Sequence, residues 1–261
     1  MMQEKSNSLT IFFPCYNDAG TIGSMIAAAD QVASEFTTDY EIIVVDDGST
    51  DSSRPLLEAI QQKRPKLQLI FHGENRGYGA AIRSGIAAAT KTLLFYTDGD
   101  GQYDVFELKK LLPIMQEGID VVNGYKIFRH DPLYRVVIGI VYLRLMRLLF
   151  NFRLRDIDCD FRLLRRSVFE KIELKHDSGV ICLEMIKKLE LMGCRFAEYP
   201  VHHFHRSYGK SQFFRLGRLT KTLWNILKLW WQIMILRERP DGNLHQEDHR
   251  IHRNPTMVEN K

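Results

Sequence analysis

Cysteine is scarce in this sequence of 261 residues, and its four cysteines stand far apart. Disulfide frameworks and structural zinc sites both need cysteines at close, regular spacings such as Cys-x-x-Cys, and no such pair is present. The sequence therefore predicts reduced thiols and a cytoplasmic protein. The four cysteines are Cys15, Cys159, Cys182 and Cys194.

Long apolar runs are also missing. A membrane-spanning helix needs ~20 consecutive apolar residues, and the nearest approach, residues 223–236, is interrupted by Asn225, Lys228 and Gln232. Residues 1–10 are polar and lack the apolar centre of a secretory signal. We therefore expect neither a spanning segment nor a signal peptide.

The two common glycine motifs for nucleotides are absent as well. Residues 74–81, Glu-Asn-Arg-Gly-Tyr-Gly-Ala-Ala, match neither Gly-x-Gly-x-x-Gly nor the Gly-Lys-Ser/Thr ending of a P-loop. Such a segment either cradles a phosphate with its backbone or uses its glycines only for close packing. The sequence leaves both interpretations open.

The net charge of +4 hides an uneven distribution. Residues 1–125 hold 10 Lys and Arg against 17 Asp and Glu, whereas the remainder holds 26 against 15. A basic half of this kind indicates an anionic partner: nucleic acid, a phosphorylated substrate or a membrane surface. The basic residues flank apolar segments and form no recognisable nucleic-acid reader, so we expect no nucleic-acid partner.

What the sequence does contain is an alternation of short apolar runs with longer, often Ala-rich segments. Strands that alternate with helices at this spacing predict an α/β protein with a largely parallel sheet. The pattern changes after Asn123. Predicted strands cover residues 9–13, 41–45, 67–71, 92–96 and 196–201; predicted helices cover 21–36, 77–90, 105–116, 133–150 and 180–192 (the last amphipathic), with another beginning near 51.

Two acidic clusters stand where predicted strands end. The first is Asp46-Asp47-Gly48-Ser49, and the second is Asp98-Gly99-Asp100-Gly101-Gln102. Open α/β sheets bind ligands at the carboxyl ends of their strands, where a carboxylate can bond a ribose hydroxyl. Two neighbouring carboxylates can also share Mg²⁺ or Mn²⁺, ions that keep other positions for phosphate oxygens and water. The alternative is that both clusters are solvated turns that cap the following helices.

An ordered set of motifs surrounds the two clusters. The set is Pro14-x-Tyr16-Asn17, Val44-Val45-Asp46-Asp47-Gly48-Ser49-Thr50-Asp51, Asn75-x-Gly77-x-Gly79-x-Ala81, Asp98-x-Asp100-x-Gln102, Asn123-Gly124-Tyr125-Lys126, Arg129-x-Asp131-Pro132, Asp156-x-Asp158-Cys159-x-Phe161-Arg162, Glu198-x-Pro200-Val201 and Arg206-x-x-Gly209-Lys210-Ser211. As a set these motifs resemble family 2 glycosyltransferases of the GT-A fold. The resemblance is greatest to the polyprenyl-phosphate branch, the dolichyl-phosphate mannose synthase-like enzymes, and covers about residues 8–215.

The resemblance implies a GT-A fold over residues 8–212, with a mostly parallel sheet flanked by helices. It implies an inverting transfer of a hexose from a UDP- or GDP-sugar to a polyprenyl phosphate; the alternative within the family is transfer to a glycan hydroxyl in polysaccharide assembly. It also implies Mg²⁺ or Mn²⁺ at Asp98, Asp100 and Gln102. Nucleotide-sugar contacts are implied for Pro14, Tyr16, Asp18, Val44, Asp46, Asp47, Gly99, Lys126 and Lys210, and catalytic roles for Asp98, Asp100, Arg129 and Arg206.

Three positions depart from the family pattern. Asp18 stands where Glu is more common, Lys126 where Arg is more common, and Gln212 where a basic residue is frequent. Lys lacks the bidentate phosphate geometry of Arg, so the identity of the donor stays open. The intact second cluster argues against a non-catalytic relative that only binds nucleotide sugars.

The acceptor decides whether the reaction needs a general base. A lipid phosphate is already anionic near neutral pH, and under this interpretation Arg129 and Arg135 in the basic half are the candidates to hold it near the donor. A sugar hydroxyl must lose its proton to a carboxylate, and three aspartates are candidates for that role. Their alternative role is ion pairing with neighbouring arginines. The aspartates are Asp156, Asp158 and Asp160, and the arginines are Arg153, Arg155 and Arg162.

Two apolar segments, 133–150 and 213–236, suit helices that lie in a membrane interface with basic residues at the headgroups. The alternatives are a core helix or a dimer interface. We expect a peripheral protein at the cytoplasmic face of the membrane, an amphipathic helix over 213–236 and a polar, disordered tail over 237–261. The polar stripe of the amphipathic helix is Arg215, Arg218, Lys221, Asn225, Lys228 and Gln232.

His202, His203 and His205 raise the question of a second metal site. Alternation along a strand places His203 and His205 on the same face. No cysteine or carboxylate stands at a zinc-like spacing from them. The sequence therefore favours a histidine near the acceptor over a zinc ligand.

Overall fold

Seven strands form one sheet in the part of the chain that the structure describes. The computed structural model describes residues 8–127, 133–208 and 216–236, with the backbone alone for residues 133–137 and 216–219. The strands are β1 (Leu9–Cys15), β2 (Tyr40–Asp46), β3 (Leu67–Phe71), β4 (Leu93–Thr97), β5 (Val121–Ile127), β6 (Phe161–Arg165) and β7 (Phe196–His202). Their order across the sheet is β3-β2-β1-β4-β6-β5-β7.

The sheet is mostly parallel, which confirms the α/β prediction. β3, β2, β1 and β4 run parallel to one another, and β5 runs parallel to β7. β6 is antiparallel to both of its neighbours, β4 and β5. One antiparallel strand thus joins two parallel groups into a single sheet.

Helices cover both faces of the sheet. One apolar layer contains α1, α2 and α4, and the other contains α3, α5, α6 and α7. In α1 the buried residues recur every three or four positions, which gives the helix one apolar stripe toward the sheet. The helices are α1 (Ile22–Phe36), α2 (Ser53–Gln61), α3 (Tyr78–Ala88), α4 (Leu108–Leu111), α5 (Leu133–Phe150), α6 (Val180–Leu191) and α7 (Leu216–Trp230), which a π-helical turn, Trp231–Ile235, extends.

The helix predicted over residues 105–116 is interrupted. α4 is a single turn between two 3₁₀ helices, Val105–Glu107 and Leu112–Ile114. Pro113 has no backbone N–H, and its ring clashes with the preceding helical turn. The segment therefore ends before it can continue as one α-helix.

α6 is buried on most of its surface, although the sequence predicts an amphipathic helix. Nine of its twelve residues are buried, including Glu184 and Lys187. α6 packs against α3 and α7. Its polar residues therefore form internal ion pairs: Glu184 with Lys188, and Lys187 with Glu190.

α7 buries one face and exposes another. Ile226, Leu229 and Ile233 lie in the core, and the Trp230 indole N–H donates to the carbonyl oxygen of Leu149 in α5 at 2.8 Å. The alternative of a core helix is therefore correct for one face only. No helix within the described residues is long and apolar enough to cross a membrane. The large apolar residues that this helix and its π-helical turn expose are Leu223, Trp224, Leu227, Trp231 and Ile235.

Candidate active site

The carboxyl ends of three neighbouring strands bring the two acidic clusters together. β1 lies between β2 and β4, and Cys15 at the end of β1 is paired with Asp46 at the end of β2. The N–H of Asp47 donates to the carbonyl oxygen of Cys15 at 2.9 Å, and the N–H of Gly99 donates to that of Pro14 at 3.1 Å. The two clusters thus flank the end of β1 at one edge of the sheet.

Asp18 and Asp46 each carry one carboxylate oxygen that lacks a donor. Oδ2 of Asp18 accepts the N–H of Tyr16 at 3.1 Å, and Oδ2 of Asp46 accepts the N–H of Ser49 at 3.3 Å. The Oδ1 atom of each is buried and accepts no hydrogen bond from the described residues. A buried acceptor without a donor costs about 1–3 kcal/mol. These atoms are therefore positions where a ligand O–H or N–H group would fit.

Burial also disfavours the charged form of both carboxyl groups. Burial, and then the charge of Asp100, raises the pKa of Asp18 to about 6, although the N–H of Tyr16 and the charge of Arg206 oppose this rise. Burial likewise raises the pKa of Asp46, against hydrogen bonds from Ser49. A hydrogen-bond donor or a cation from a ligand would stabilise the charged form of both carboxyl groups.

Asp47 is engaged within the protein. Its carboxylate accepts the N–H of Arg76 at 2.9 Å and that of Gly77 at 2.8 Å. Nδ1 of His72 lies 2.6 Å from Oδ1 of Asp47, and Nε2 of the same ring lies 2.9 Å from the Ser84 hydroxyl. Asp47 thus holds the start of the glycine-rich segment.

The glycines of residues 74–81 serve close packing. A Cβ on Gly77 would overlap the carbonyl oxygen of Asp177, and a Cβ on Gly79 would overlap that of His176. Gly77 adopts a φ of 101°, which favours glycine. The N–H of Gly79 donates to the carbonyl oxygen of Asp177 at 2.8 Å. The packing interpretation of these glycines is therefore the better one.

The second acidic cluster follows β4 and has an internal hydrogen-bond frame. The Tyr78 hydroxyl donates to Oδ1 of Asp98 at 2.7 Å, and the N–H of Gln102 donates to Oδ1 of Asp100 at 3.0 Å. Burial, followed by the charges of Asp160 and Asp100, raises the pKa of Asp98 well above its ordinary value. Such crowding of carboxylates favours a bound cation.

These residues fit Mg²⁺ or Mn²⁺ that is bound together with a diphosphate. Such ions take one or two protein carboxylates and complete their shell with phosphate oxygens and water. The Gln102 amide nitrogen donates to the carbonyl oxygen of Phe204 at 3.1 Å, so its amide oxygen is the end that can face a cation beside Asp98 and Asp100. Within the described ranges, no three His, Cys, Asp or Glu side chains form a complete protein-only metal site.

The segment 203–208 lies over the second cluster. The N–H of Phe204 donates to the carbonyl oxygen of Gln102 at 2.8 Å, and the side-chain amide of Gln102 donates in return to the carbonyl oxygen of Phe204. Arg206 forms an ion pair with Asp100. The Tyr208 ring packs on the loop that follows β1. This segment therefore brings one guanidinium group into the acidic cluster.

Lys126 and three aspartates form a second group of charges near the cluster. Nζ of Lys126 lies 3.5 Å from Asp156 and donates to the carbonyl oxygen of Asp158 at 2.5 Å. Burial alone would lower the pKa of Lys126, but nearby carboxylates, Asp156 first, raise it. Burial raises the pKa of Asp158 to about 7. Asp160 pairs with the buried Arg162, so the ion-pair alternative is correct for this aspartate.

Of the remaining site residues predicted from the sequence, some lie within the described structure and others lie outside it. Val44 is wholly buried within β2, Pro14 is buried at the end of β1, and Tyr16 is half-buried in the loop that follows. Arg129, Lys210 and Gln212 lie outside the described residues, and so does the side chain of Arg135.

In the part of the chain that is described, the histidines of residues 202–205 join no metal-ligating group of three. β7 ends at His202, so strand alternation does not extend to His203 and His205. Nδ1 of His202 lies 2.9 Å from Glu107, and the His203 ring packs against Tyr103. The expectation that His203 and His205 share one strand face is therefore wrong.

Two residues of the site have contacts that the sequence does not reveal. Tyr78 occupies an unspecified position between two glycines of its motif, yet it contacts Asp98. Arg162 is wholly buried and donates to the Asn123 side chain at 2.7 Å and to the carbonyl oxygen of Ile157 at 2.5 Å. The sequence places Arg162 in a motif beside three aspartates, but nothing in it shows that this side chain is buried.

Two cavities of the described structure differ in their position relative to the site. The larger, of about 750 Å³, lies at the amino-terminal ends of β2 and β3, away from the carboxylates. Its acid Asp30 already pairs with Arg64 and accepts the Tyr40 hydroxyl at 2.7 Å. The smaller, of about 260 Å³, lies between β5 and α5 and is lined by Lys126. Only the second adjoins the residues described above.

The sheet order and the carboxylates at the ends of β2 and β4 define an α/β protein of the nucleotide-binding type, in which ligands meet strand ends. Residues 10–173 match the family described as Glycosyl transferase family 2. The chain belongs to this family and is a glycosyltransferase.

Similar proteins support this assignment. Two relatives are named undecaprenyl-phosphate 4-deoxy-4-formamido-L-arabinose transferase. The one from Yersinia enterocolitica is 28% identical over 230 residues, which are 86% of this chain and 68% of the relative. The one from Yersinia pestis is 28% identical over 232 residues, which are 87% of this chain and 68% of the relative.

Solved structures confirm the GT-A fold. Glucosyl-3-phosphoglycerate synthase from Mycobacterium tuberculosis, in complex with Mn²⁺, UDP and glucosyl-3-phosphoglycerate, has a TM-score of 0.66 at 17% identity, over 90% of this chain and 82% of that one. The same enzyme with Mg²⁺ and UDP has a TM-score of 0.65 at 17% identity, over 90% of this chain and 81% of that one.

Proposed function

We propose that the chain transfers a sugar from a nucleoside-diphosphate sugar to a polyprenyl phosphate, with Mg²⁺ or Mn²⁺ as the divalent ion. The observation that carries this proposal is the shared sheet edge at which Asp46 and the Asp98–Asp100 pair flank the end of β1. The names of the Yersinia relatives support the acceptor class. The UDP, Mn²⁺ and Mg²⁺ in the M. tuberculosis structures support the donor and the ion.

The nucleoside half of the donor is proposed to lie against the loop after β1. Oδ1 of Asp18 and Oδ1 of Asp46 would accept hydrogen bonds from ribose hydroxyls or a base N–H, because each is buried and lacks a donor in the described structure. Tyr16 and Gly99 adjoin the Asp18 carboxylate. Donor binding would thus remove the cost of two unpaired acceptors.

The diphosphate half is proposed to lie at the second acidic cluster. A bound divalent ion would neutralise the charge that develops on the leaving diphosphate. Asp98 and Asp100 would hold this ion, with the amide oxygen of Gln102 as a neutral ligand. Arg206 reaches the same carboxylate group, so it is placed to donate to a diphosphate that binds there.

The cleft between β5 and α5 is proposed to receive the acceptor. Its volume is about 260 Å³, and its wall combines the cations of Lys126 and Arg155 with the apolar side chains Ile140 and Leu143. The Arg155 guanidinium lies over the Tyr125 ring at 4.9 Å from its centre. A phosphate joined to an isoprenoid chain needs this pairing of a cationic end with an apolar wall.

The chain is further proposed to contact the membrane peripherally through α5 and α7. The Trp230–Leu149 hydrogen bond joins the two helices, and each exposes apolar side chains, including Val141 and Leu148 of α5 and Trp224 of α7. Lysines at the exposed positions Lys221 and Lys228 would meet anionic headgroups. This contact would place the cleft near a lipid-borne acceptor.

An acceptor assay tests the proposed function. Purified protein, Mn²⁺ or Mg²⁺ and radiolabelled UDP- and GDP-sugars are incubated with undecaprenyl phosphate in detergent, and label is extracted into organic solvent. Label in the lipid phase, absent with EDTA, is the expected result. The anomeric configuration of the product, read by NMR, tests for inversion. Label on added oligosaccharide alone would overturn the lipid acceptor.

A glycan hydroxyl is the second candidate acceptor, and one observation favours it. Burial brings the pKa of Asp158 to about 7, which suits a general base near neutral pH. Both oxygens of Asp156 already accept backbone N–H groups, and Asp160 pairs with Arg162. If the acceptor is a glycan hydroxyl, Asp158→Asn abolishes transfer. If the acceptor is a lipid phosphate, which needs no general base, the Asp158→Asn enzyme keeps most of its activity.

A further inference from the structure

The glycine-rich segment connects the first acidic cluster to the second. At its start, the carboxylate of Asp47 accepts the N–H groups of Arg76 and Gly77. The His72 ring holds the same carboxylate at 2.6 Å. At its end, the N–H of Gly79 is bound to Asp177. The backbone on both sides of Tyr78 is therefore fixed by contacts with two distant parts of the chain.

Tyr78 is the first residue of α3, and its side chain reaches the second cluster. Its hydroxyl donates to Oδ1 of Asp98 at 2.7 Å. A phenol keeps its proton at neutral pH, so the Tyr78 hydroxyl acts here as a hydrogen-bond donor to the carboxylate. The hydrogen bond occupies one oxygen of Asp98 and limits rotation of that carboxylate.

We propose that Tyr78 is a positioning residue for Asp98 in the metal site. The inference rests on the proposed function, because it assumes that Asp98 holds the divalent ion. A carboxylate ligand whose second oxygen accepts an outer hydrogen bond keeps one orientation, and loss of such an outer partner typically lowers metal affinity by about 10–100-fold. The glycine motif would thus support metal binding by placing the Tyr78 hydroxyl against Asp98.

The contacts that fix Tyr78 explain why the motif uses glycine on either side of it. A side chain at position 77 or 79 would overlap the backbone of residues 176–177. The start of α3 would then move outward, and the Tyr78 hydroxyl with it. Asp47, of the first cluster, and His72, which follows β3, act on the metal ligand through this segment.

The test compares Tyr78→Phe with a matched control. The Tyr40 hydroxyl donates to Asp30 at 2.7 Å, the same distance, but at the opposite end of the sheet. Tyr40→Phe therefore removes an equivalent tyrosine–carboxylate bond away from the site. Binding of Mn²⁺ is measured by the loss of its free-ion EPR signal, with and without UDP, for the full-length wild type and both variants.

We expect Tyr78→Phe to bind Mn²⁺ about tenfold more weakly, with a higher KM for Mn²⁺ and little change in kcat at saturating metal. Tyr40→Phe should bind as the wild type does. Equal Mn²⁺ affinity in Tyr78→Phe and the wild type overturns the positioning role, and so does an equal loss in both variants. A wild type that binds no Mn²⁺ with UDP overturns the proposed metal-dependent function itself. Tyr78→Leu, with the same loss of Mn²⁺ affinity expected, supplies a second variant should the first fail to fold.

Discussion

Asp18 is a residue of the site whose burial lowers the stability of the folded protein. The residue is buried, and its Oδ1 has no donor among the described residues. Burial raises the pKa of Asp18 from 3.8 to about 6. Between these values the folded chain binds this proton more tightly than the unfolded chain does. Stability therefore falls as pH rises through this window, and the ionised group costs on the order of 1–3 kcal/mol above it.

Asp18→Asn should accordingly stabilise the protein in a pH-dependent way. The amide keeps an oxygen that can accept the Tyr16 N–H but carries no charge. We expect a gain of about 1–3 kcal/mol near pH 7.5 and almost none near pH 4, measured by urea unfolding at both values. An equal gain at both pH values would contradict the assignment of the cost to ionised Asp18. Weaker UDP binding by the same variant is expected under the proposed function.

Asp100→Asn should abolish transfer and leave the fold intact. The amide oxygen can still accept the N–H of Gln102, but the charge that would hold a cation is lost. We expect activity to fall by more than about 100-fold, with the far-UV circular dichroism spectrum unchanged. Asp104→Asn is the matched control, because Asp104 caps the neighbouring turn by accepting the Phe106 N–H at 2.9 Å. An active Asp100→Asn enzyme would contradict the assignment of Asp100 as a ligand of the divalent ion.

The sequence could identify the acidic residues of the site but not their partners. Asp46, Asp98 and Asp100 stand at strand ends, and that position alone indicates ligand chemistry in an α/β sheet. The engagement of Asp47 by His72 depends on the packing of segments that are far apart along the chain. The contact between Tyr78 and Asp98 depends on it as well, and no local pattern encodes such packing.

Among the structural elements, α3 depends on the absence of a side chain at its second residue. A Cβ at Gly79 would overlap the His176 carbonyl oxygen, which belongs to the backbone and cannot rotate away. We expect Gly79→Ala to lower the free energy of unfolding by about 1–3 kcal/mol, as measured by urea unfolding.

Gly23→Ala in α1 is the control for that measurement. A Cβ there would meet Ile60 at 3.5 Å, an ordinary van der Waals contact. Replacing a helical glycine with alanine at such a position stabilises by about 0.5–1 kcal/mol. If both variants shift stability in the same direction, the overlap at Gly79 is not the cause.

Element prediction from the sequence succeeds where local preference and tertiary environment agree. β3 and α5 have their predicted bounds, Leu67–Phe71 and Leu133–Phe150. β5 is missed because Asn123 and Gly124, which are depleted in strands, stand at its centre. β6 is missed because its buried Arg162 resembles a solvated residue until Asn123 and Ile157 surround it.

For the whole molecule, the proposed membrane contact makes a specific prediction about α7. The side chains of Trp224 and Trp231 are 70% and 54% exposed, so replacing both with serine should leave the melting temperature nearly unchanged. Binding to anionic vesicles should weaken roughly tenfold or more, because two aromatic side chains no longer enter the interface.

Sedimentation with vesicles that contain phosphatidylglycerol measures this effect. Phe106→Ser is the control, since Phe106 is an exposed aromatic residue at 40% exposure that lies outside α5 and α7. Unchanged sedimentation of the double variant would count against membrane contact through this face. The uneven charge of the two halves indicates such a surface, but the sequence could not tell which face of α7 the core covers.

The position of β6 has a consequence for the order in which the protein folds during synthesis. One edge of β4 pairs with β1, but the other edge must wait for β6, because Leu93 is paired there with Arg165, a residue made much later. Until then the first four strands can assemble among themselves while the outer edge of β4 stays unpaired. An apolar, unpaired strand edge promotes aggregation. The nascent chain is therefore most in need of chaperones after β4 has emerged from the ribosome and before β6 has done so.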